Sequence, residues 1–332
     1  MADNPASAGN GLAVEVYGLE KSYGPVAAVR GVDLQIRKGE IFALLGPNGA
    51  GKTTTVEILE GYRKRDAGDV SVLGFDPAKH TRELHSQIGI VLQSTGIDQY
   101  LTVAETITMY SRYYPHPRPV DEILELVGLT EKRDSRVLRL SGGQQRRLDV
   151  AIALAGDPDL LFLDEPTTGF DPSARREAWE VVKNLADLGK TVLLTTHFMD
   201  EAQYLADHVA VIAGGRIVAE GDPETIAGRD AARARIHFRL EQSTEIPADF
   251  VAVRTGERVE LSPSNVTETL HRLTGWAIER GFELDALEVV RPTLEDTYLE
   301  LTAGVESAAA PTDGGAGGRR RAARSGRRGA SR

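Results

Sequence analysis

Gly46, Gly51, Lys52 and Thr53 stand in G-x-x-x-x-G-K-T order within IFALLGPNGAGKTT. That spacing lets backbone N–H groups wrap phosphates at a helix N-terminus, where the helix dipole also favours an anion. Pro47, Asn48, Gly49 and Ala50 complete the loop, and Thr54 follows it. Lys52 is placed to reach β- and γ-phosphates, and the Thr53 hydroxyl to ligate Mg²⁺. Two acids lie further along the chain, at the end of an apolar run. LLFLDEPTTG is an apolar run closed by Asp164 and Glu165, with Pro166 blocking its continuation. In open α/β sheets ligands bind at the carboxyl ends of strands. Asp164 is the candidate to hold Mg²⁺ through water. Glu165, facing another way, can orient or deprotonate an attacking water, an effect worth roughly 10²- to 10⁴-fold in rate.

Two further runs end the same way. TVLLTTHFMDEA places Thr196 and His197 after apolar residues, where His197 can contact a γ-phosphate. IGIVLQSTG closes on Gln93, which can touch Mg²⁺ or the attacking water. LSGGQQRRLDVAIA raises a different question. Ser141 and Gln144 have capping-box spacing. A cap does not need Gly142 and Gly143, and glycine costs about 1 kcal/mol against alanine in a helix interior. Their bare backbone suits phosphate oxygens. Since the chain already has one phosphate loop, this surface faces a second nucleotide or one held by another chain.

The elements that must position these residues read as mixed α/β. Apolar runs at 41–45, 88–92, 160–163, 192–194 and 209–213 alternate with helix-like stretches, the pattern of parallel strands covered on both faces. A helical insertion lies between Gln93 and Pro158, with Thr102 and Glu105 at capping-box spacing. After Gly228 the composition shifts. ARIHFRL alternates like a half-exposed strand, FVAV and RVEL are its candidate partners, SNVTETLHRLTGWAIERG reads as a helix and FELDALEVV as a further strand. PTLEDTYLEL starts a last helix at Pro292.

The expected division is a polar lead over 1–11, an α/β core over 12–229 with its helical subdomain at about 94–158, a small α+β domain over 234–302, and an Arg-rich tail over 303–332 unable to bury enough surface to fold. The chain of 332 residues has no cysteine, which excludes disulfides and thiolate chemistry. A formal net charge of -10 argues against general nucleic-acid binding. No run approaches the 18 or so apolar residues of a membrane span. MADNPASAGNGL lacks the basic and apolar segments of a signal peptide, so a cytoplasmic location is expected.

Taken in order, GPNGAGKTT, Gln93, LSGGQ, LLFLDEP, the turn at Gly169 to Asp171, and His197 resemble an ABC transporter ATP-binding subunit over roughly 12–228. The resemblance implies a P-loop NTPase fold, a mostly parallel sheet flanked by helices, with ATP and Mg²⁺ as ligands. It implies a head-to-tail dimer in which Ser141, Gly142, Gly143 and Gln144 bind the γ-phosphate held by the partner. Asp171 would lie at the dimer contact, Gln93 would couple the site to a membrane subunit, and Tyr23 would stack on adenine. EGDPETIAG and RPTLEDTYLEL are similar to the daunorubicin-type exporter ATPases of the ABC-2 group. That implies a separate integral membrane permease and attachment at the cytoplasmic face of the membrane. The importer motor and the non-transport ABC ATPases are the alternatives. The ribosomal ones carry two such units and the chromosomal ones a long coiled coil, and neither is seen here. The basic tail could touch anionic lipid, at about 1 kcal/mol per residue near the surface.

Overall fold

The computed structural model describes residues 11–91, 96–226, 234–241, 244–247 and 250–290. Gln93, the lead before Gly11, the helix predicted from Pro292 and the Arg-rich tail lie outside them.

Chain order begins with β1 (Leu12–Tyr23), β2 (Val26–Arg37), β3 (Ile41–Leu45), α1 (Lys52–Leu59), β4 (Ala67–Val72), α2 (Arg82–His85) and β5 (Ile88–Val91). Three helices follow, α3 (Val103–Ser111), α4 (Val120–Leu126) and α5 (Gly142–Ala153). The α/β pattern resumes with β6 (Leu160–Asp164), α6 (Pro172–Asp187), β7 (Thr191–Thr196), α7 (Met199–Leu205), β8 (His208–Ala213), β9 (Arg216–Gly221) and α8 (Pro223–Ile226). Last come β10 (Arg235–Arg239), β11 (Ala252–Thr255), β12 (Arg258–Leu261), α9 (Val266–Arg280) and β13 (Asp285–Val290).

The central sheet has the order β5-β6-β7-β3-β8-β9. Its pairs are parallel except β8 with β9, an antiparallel edge that the sequence pattern did not announce. β3 and β7 are buried at every residue, as unbroken apolar strands covered on both faces should be. The alternation of side chains divides the core in two. Ile41, Ala43, Leu45, Leu161, Leu163, Val192 and Leu194 point into a core shared with helices α3 to α7. Phe42, Leu44, Leu160, Phe162 and Leu193 point into the opposite core, shared with α1 and β1, β2 and β4. Those three strands form a separate antiparallel sheet, β2-β1-β4, which the run of strand-like segments did not reveal.

The helical stretch begins as its sequence predicts. Thr102 Oγ1 accepts from Glu105 N–H, and the Glu105 carboxylate accepts from Thr102 N–H, the reciprocal capping box. Near the chain's end, β11-β12-β10-β13 make an antiparallel sheet with a core of its own, built on Phe238, Phe250, Val259 and Leu273. RVEL, as β12, is the direct neighbour of ARIHFRL, while β11 pairs only with β12.

α5 and β5 touch at a position that admits only glycine. A Cβ on Gly89 would stand 2.6 Å from the Ala153 carbonyl oxygen and 2.9 Å from Leu161 Cδ2. Overpacking of this kind costs about 1–3 kcal/mol. Gly89→Ala should therefore lower unfolding stability by that amount, seen as a lower urea midpoint for the full chain. An unchanged midpoint would show that α5 and β5 can separate freely.

Candidate functional site

The phosphate-type loop leaves β3 and enters α1, and inner packing dictates both of its defining glycines. A Cβ on Gly46 would fall 2.4 Å from the Ile212 carbonyl oxygen. One on Gly51 would fall 2.5 Å from that of Ala28, and Gly51 holds φ at 108°, a region L side chains rarely adopt. Gly51 is also the N-cap of α1 and offers no side-chain cap, so the first N–H groups of the helix stay free of an internal partner of that kind. Asn48, Gly49 and the Thr53 side chain are exposed, whereas Ala50 and Lys52 are buried. Lys52 Nζ donates to the carbonyls of Gly46 (2.7 Å) and Pro47 (3.2 Å).

Parallel register brings the other groups to the same sheet edge. Leu45 stands opposite Thr196, and Asp164 opposite Thr195. Gly46 N–H donates to the Thr196 carbonyl at 3.4 Å. Lys52 Nζ lies 3.9 Å from Glu165 Oε1, and His197 Nδ1 lies 3.2 Å from that same oxygen, without hydrogen-bond alignment. Burial lowers the Lys52 pKa, and the charges of Glu165 and Asp164 partly oppose this. Glu165 sits at φ 46°, strained for a non-glycine residue. It is held there by N–H bonds to the Thr195 carbonyl and hydroxyl, both 3.1 Å, and its Oε2 accepts from the Thr168 hydroxyl at 3.0 Å. Asp164 Oδ1 accepts from the Thr195 hydroxyl.

A second group lines an open groove of about 1080 Å³. Its walls include Ser141, Gly142, Gly143, Gln144, Glu165, Gly169, Phe170 and Asp171. Ser141 Oγ accepts from Gln144 N–H, and Gln144 Oε1 accepts from Ser141 N–H. The capping box is thus complete, and it still leaves the glycines unexplained. A Cβ on Gly142 would meet nothing within 4 Å, and one on Gly143 only Ala174 Cβ at an ordinary 3.5 Å. Neither has a positive φ. Unlike Gly46 and Gly51, these glycines answer to no close contact among the described residues. Asp171 caps α6, its Oδ1 accepting from Ser173 and Ala174 N–H. Tyr23 ends β1 at 40% exposure, with Lys21 Nζ 5.6 Å and Arg63 Cζ 5.4 Å from its ring centre. β2, which follows it, passes the loop at Ala28, the contact that excludes a side chain at Gly51.

Three functional neighbours escaped the sequence reading. Arg146 on α5 donates to the carbonyls of Asp164 (2.9 Å) and Pro166 (3.2 Å), tying the helix of the bare glycines to the acidic strand end. Thr195, just past the apolar run at 192–194, carries no sequence signal, yet its hydroxyl accepts from Glu165 N–H and donates to Asp164 Oδ1. Glu60, the C-cap of α1, is only 3% exposed. Sequence offers no signal for Glu60 or Arg146, since each sits among charged residues of a helix-like stretch.

A phosphate loop, two acids and a histidine on one edge of a parallel sheet define a nucleotide-hydrolysing P-loop protein. The comparisons give the family. The sequence matches ABC transporter over residues 29–168, and ABC transporter domain-containing protein-like, C-terminal domain, over 234–293. Daunorubicin resistance ATP-binding protein DrrA3 of Streptomyces coeruleorubidus is 36% identical, over 87% of this chain and 96% of its own. Nod factor export ATP-binding protein I of Rhizobium sp. (strain N33) is 44% identical, over 88% and 97%. Among solved structures, cbiO1 of Clostridium perfringens, part of the ABC transporter complex cbiONQ, aligns with TM-score 0.59 at 27% identity, over 66% of this chain and 92% of that one. A dimeric ATP-binding cassette in a post-hydrolysis state with ADP and Pi aligns with TM-score 0.56 at 26% identity, over 63% and 98%. The chain belongs to the ABC transporter family and is an ATPase subunit homologous to the daunorubicin resistance and Nod factor export ATP-binding proteins.

Glu60 gives the site a pH signature. Burial, then the charges of Asp164 and Glu57, raise its carboxyl to about 8 from the usual 4.5. The folded chain therefore holds a proton that the unfolded chain releases above pH 4.5. The stability this confers is full below pH 4.5 and is lost as pH rises through 8. Glu60→Gln should flatten that decline and be more stable than wild type near pH 8, by on the order of a few kcal/mol. Urea midpoints measured across this range check it, and parallel profiles for the two proteins would contradict it.

Proposed function

We propose that two copies of this chain close head to tail around two ATP molecules and drive a separate membrane permease that exports a drug, antibiotic or lipid-like compound. Each ATP would lie between the loop of Gly46 to Thr54 on one copy and Ser141, Gly142, Gly143 and Gln144 on the other. The observation that carries this reading is the pair of glycines at the mouth of α5, which no contact among the described residues requires. The exporter assignment is supported by the daunorubicin resistance and Nod factor export relatives.

In this reading, loop N–H groups and Lys52 hold the β- and γ-phosphates, and the ammonium exchanges carbonyl partners for phosphate oxygens. Tyr23 stacks on the adenine. The exposed Thr53 hydroxyl and the Asp164 carboxylate are hard oxygen donors of the kind Mg²⁺ takes, one or two from protein and the rest water. Gln93 is a further candidate ligand. Among the described residues no cluster of three or more His, Asp or Glu could hold a metal by itself, which fits an ion shared with nucleotide. When bound, Mg²⁺ would neutralise charge on the phosphate oxygens. Glu165 accepts a proton from the attacking water. The water oxygen bonds to the γ-phosphorus as the bond to the β-phosphate oxygen breaks, releasing ADP and phosphate. His197, beside Glu165, contacts the γ-phosphate. Asp171, which lines the same groove as Ser141, lies at the dimer contact near the opposite site. ATP selects the closed dimer, and hydrolysis returns the open one.

No helix among the described residues is long and apolar enough to cross a membrane. Attachment at the cytoplasmic face through the permease accords with that. Glu165→Gln should bind Mg-ATP, lose hydrolysis by 10²-fold or more as expected for a missing general base, and accumulate as an ATP-dependent dimer. Sedimentation velocity checks it, and a mutant still monomeric in saturating Mg-ATP would overturn the sandwich.

A further inference from the structure

Glu201 lies on α7, four residues after His197, and is 0% exposed. Its Oε1 accepts from the Thr167 hydroxyl at 2.7 Å and from the Trp179 indole N–H at 3.1 Å. Burial raises its pKa, opposed by the hydrogen bonds from Thr167 and Trp179 and by the charge of Arg175, while its Oε2 is buried with no hydrogen-bond partner among the described residues. A buried carboxyl is costly even when bonded, and an apolar side chain of similar volume generally stabilises a core better. Core stability alone therefore gives no reason for an acid here.

The partners of Glu201 supply the reason. Thr167, 1% exposed, belongs to the turn that carries Glu165. Glu201 itself sits on α7, the helix that continues directly from the strand end bearing His197. Trp179 sits on α6, the helix capped by Asp171. The Thr167 carbonyl also accepts from Phe170 N–H at 3.1 Å, so the same residue anchors the chain leading to Asp171. The turn needs anchoring, because Glu165 is held at φ 46°.

We propose that Glu201 is a positioning residue for hydrolysis, fixing the Glu165 turn against the strand end that bears His197 through the Thr167 hydroxyl. It touches neither nucleotide nor water. It keeps Glu165 Oε1 where Lys52 and His197 meet it, and a misplacement of about 1 Å at such a group can cost 10²-fold in rate. The inference rests on the reading of Glu165 as general base.

Thr167→Val removes the donor at nearly constant volume and is the primary variant. Glu201→Ala removes the acceptor, and Glu201→Gln restores an Oε1 equivalent. For the full chain, kcat for ATP should fall about 10²-fold in Thr167→Val and in Glu201→Ala, with KM changed less than about threefold. Glu201→Gln should recover most of the loss. The double variant should be no slower than Glu201→Ala, since both changes break one bond. Should Glu201→Ala fail to fold, Thr167→Val decides alone. Wild-type kcat in Thr167→Val, or losses that multiply in the double variant, would overturn the inference. Glu165→Gln assayed alongside separates the two levels. If it is inactive while Thr167→Val is fully active, only the role of Glu201 falls. If Glu165→Gln keeps its activity, the reading of the site falls with it.

Discussion

Parallel pairing of β3, β6 and β7 decides which side chains meet. With Leu45 opposite Thr196 and Asp164 opposite Thr195, the chain leaves three neighbouring strands at the same level. The loop of Gly46, the acids Asp164 and Glu165, and His197 then arrive together without any contact between them having to create the cluster. A shift by one residue would turn each strand's side chains to the opposite face. It would drive Phe42 and Phe162 out of one core and Leu45 and Leu163 out of the other. The burial that stabilises the sheet therefore also enforces the site's geometry.

Around that edge the fold uses glycine in two different ways. At Gly46 and Gly51 the neighbouring backbones of Ile212 and Ala28 exclude a side chain, so the loop is shaped from within. At Gly142 and Gly143 the surroundings among the described residues are open, and the proposed constraint is the nucleotide of a second chain. Arg146 joins the two regions, reaching from the helix of the open glycines to the carbonyls of Asp164 and Pro166. Whatever seats against the mouth of α5 is thereby connected to the strand end that bears Glu165.

Much of this was legible from residues alone. The loop at Gly46 to Thr53, the acids after LLFL and the capping boxes at Thr102 and Ser141 have local signatures, because their function depends on spacing along one segment. What was not legible depends on contacts across the fold. β1, β2 and β4 pair into a sheet of their own through register, which the run of strand-like segments does not disclose. Glu60 and Glu201 look like solvent-facing acids of ordinary helices, and only packing reveals that they are 3% and 0% exposed. Thr195 stands just past the apolar run at 192–194 with nothing in its spacing to mark it, although its hydroxyl meets both Asp164 and Glu165.

In the proposed dimer each active site is shared between two chains. Mixing two variants that are inactive alone tests this sharing: Lys52→Ala, which lacks the phosphate-binding ammonium, and Ser141→Arg, which blocks the mouth of α5. In a mixed dimer one site combines the intact loop of the second variant with the intact α5 mouth of the first. ATPase activity should reappear on mixing and follow the fraction of mixed dimer. If both variants stay inactive in every proportion while forming mixed dimers, Ser141 serves the nucleotide of its own chain and the shared site is wrong.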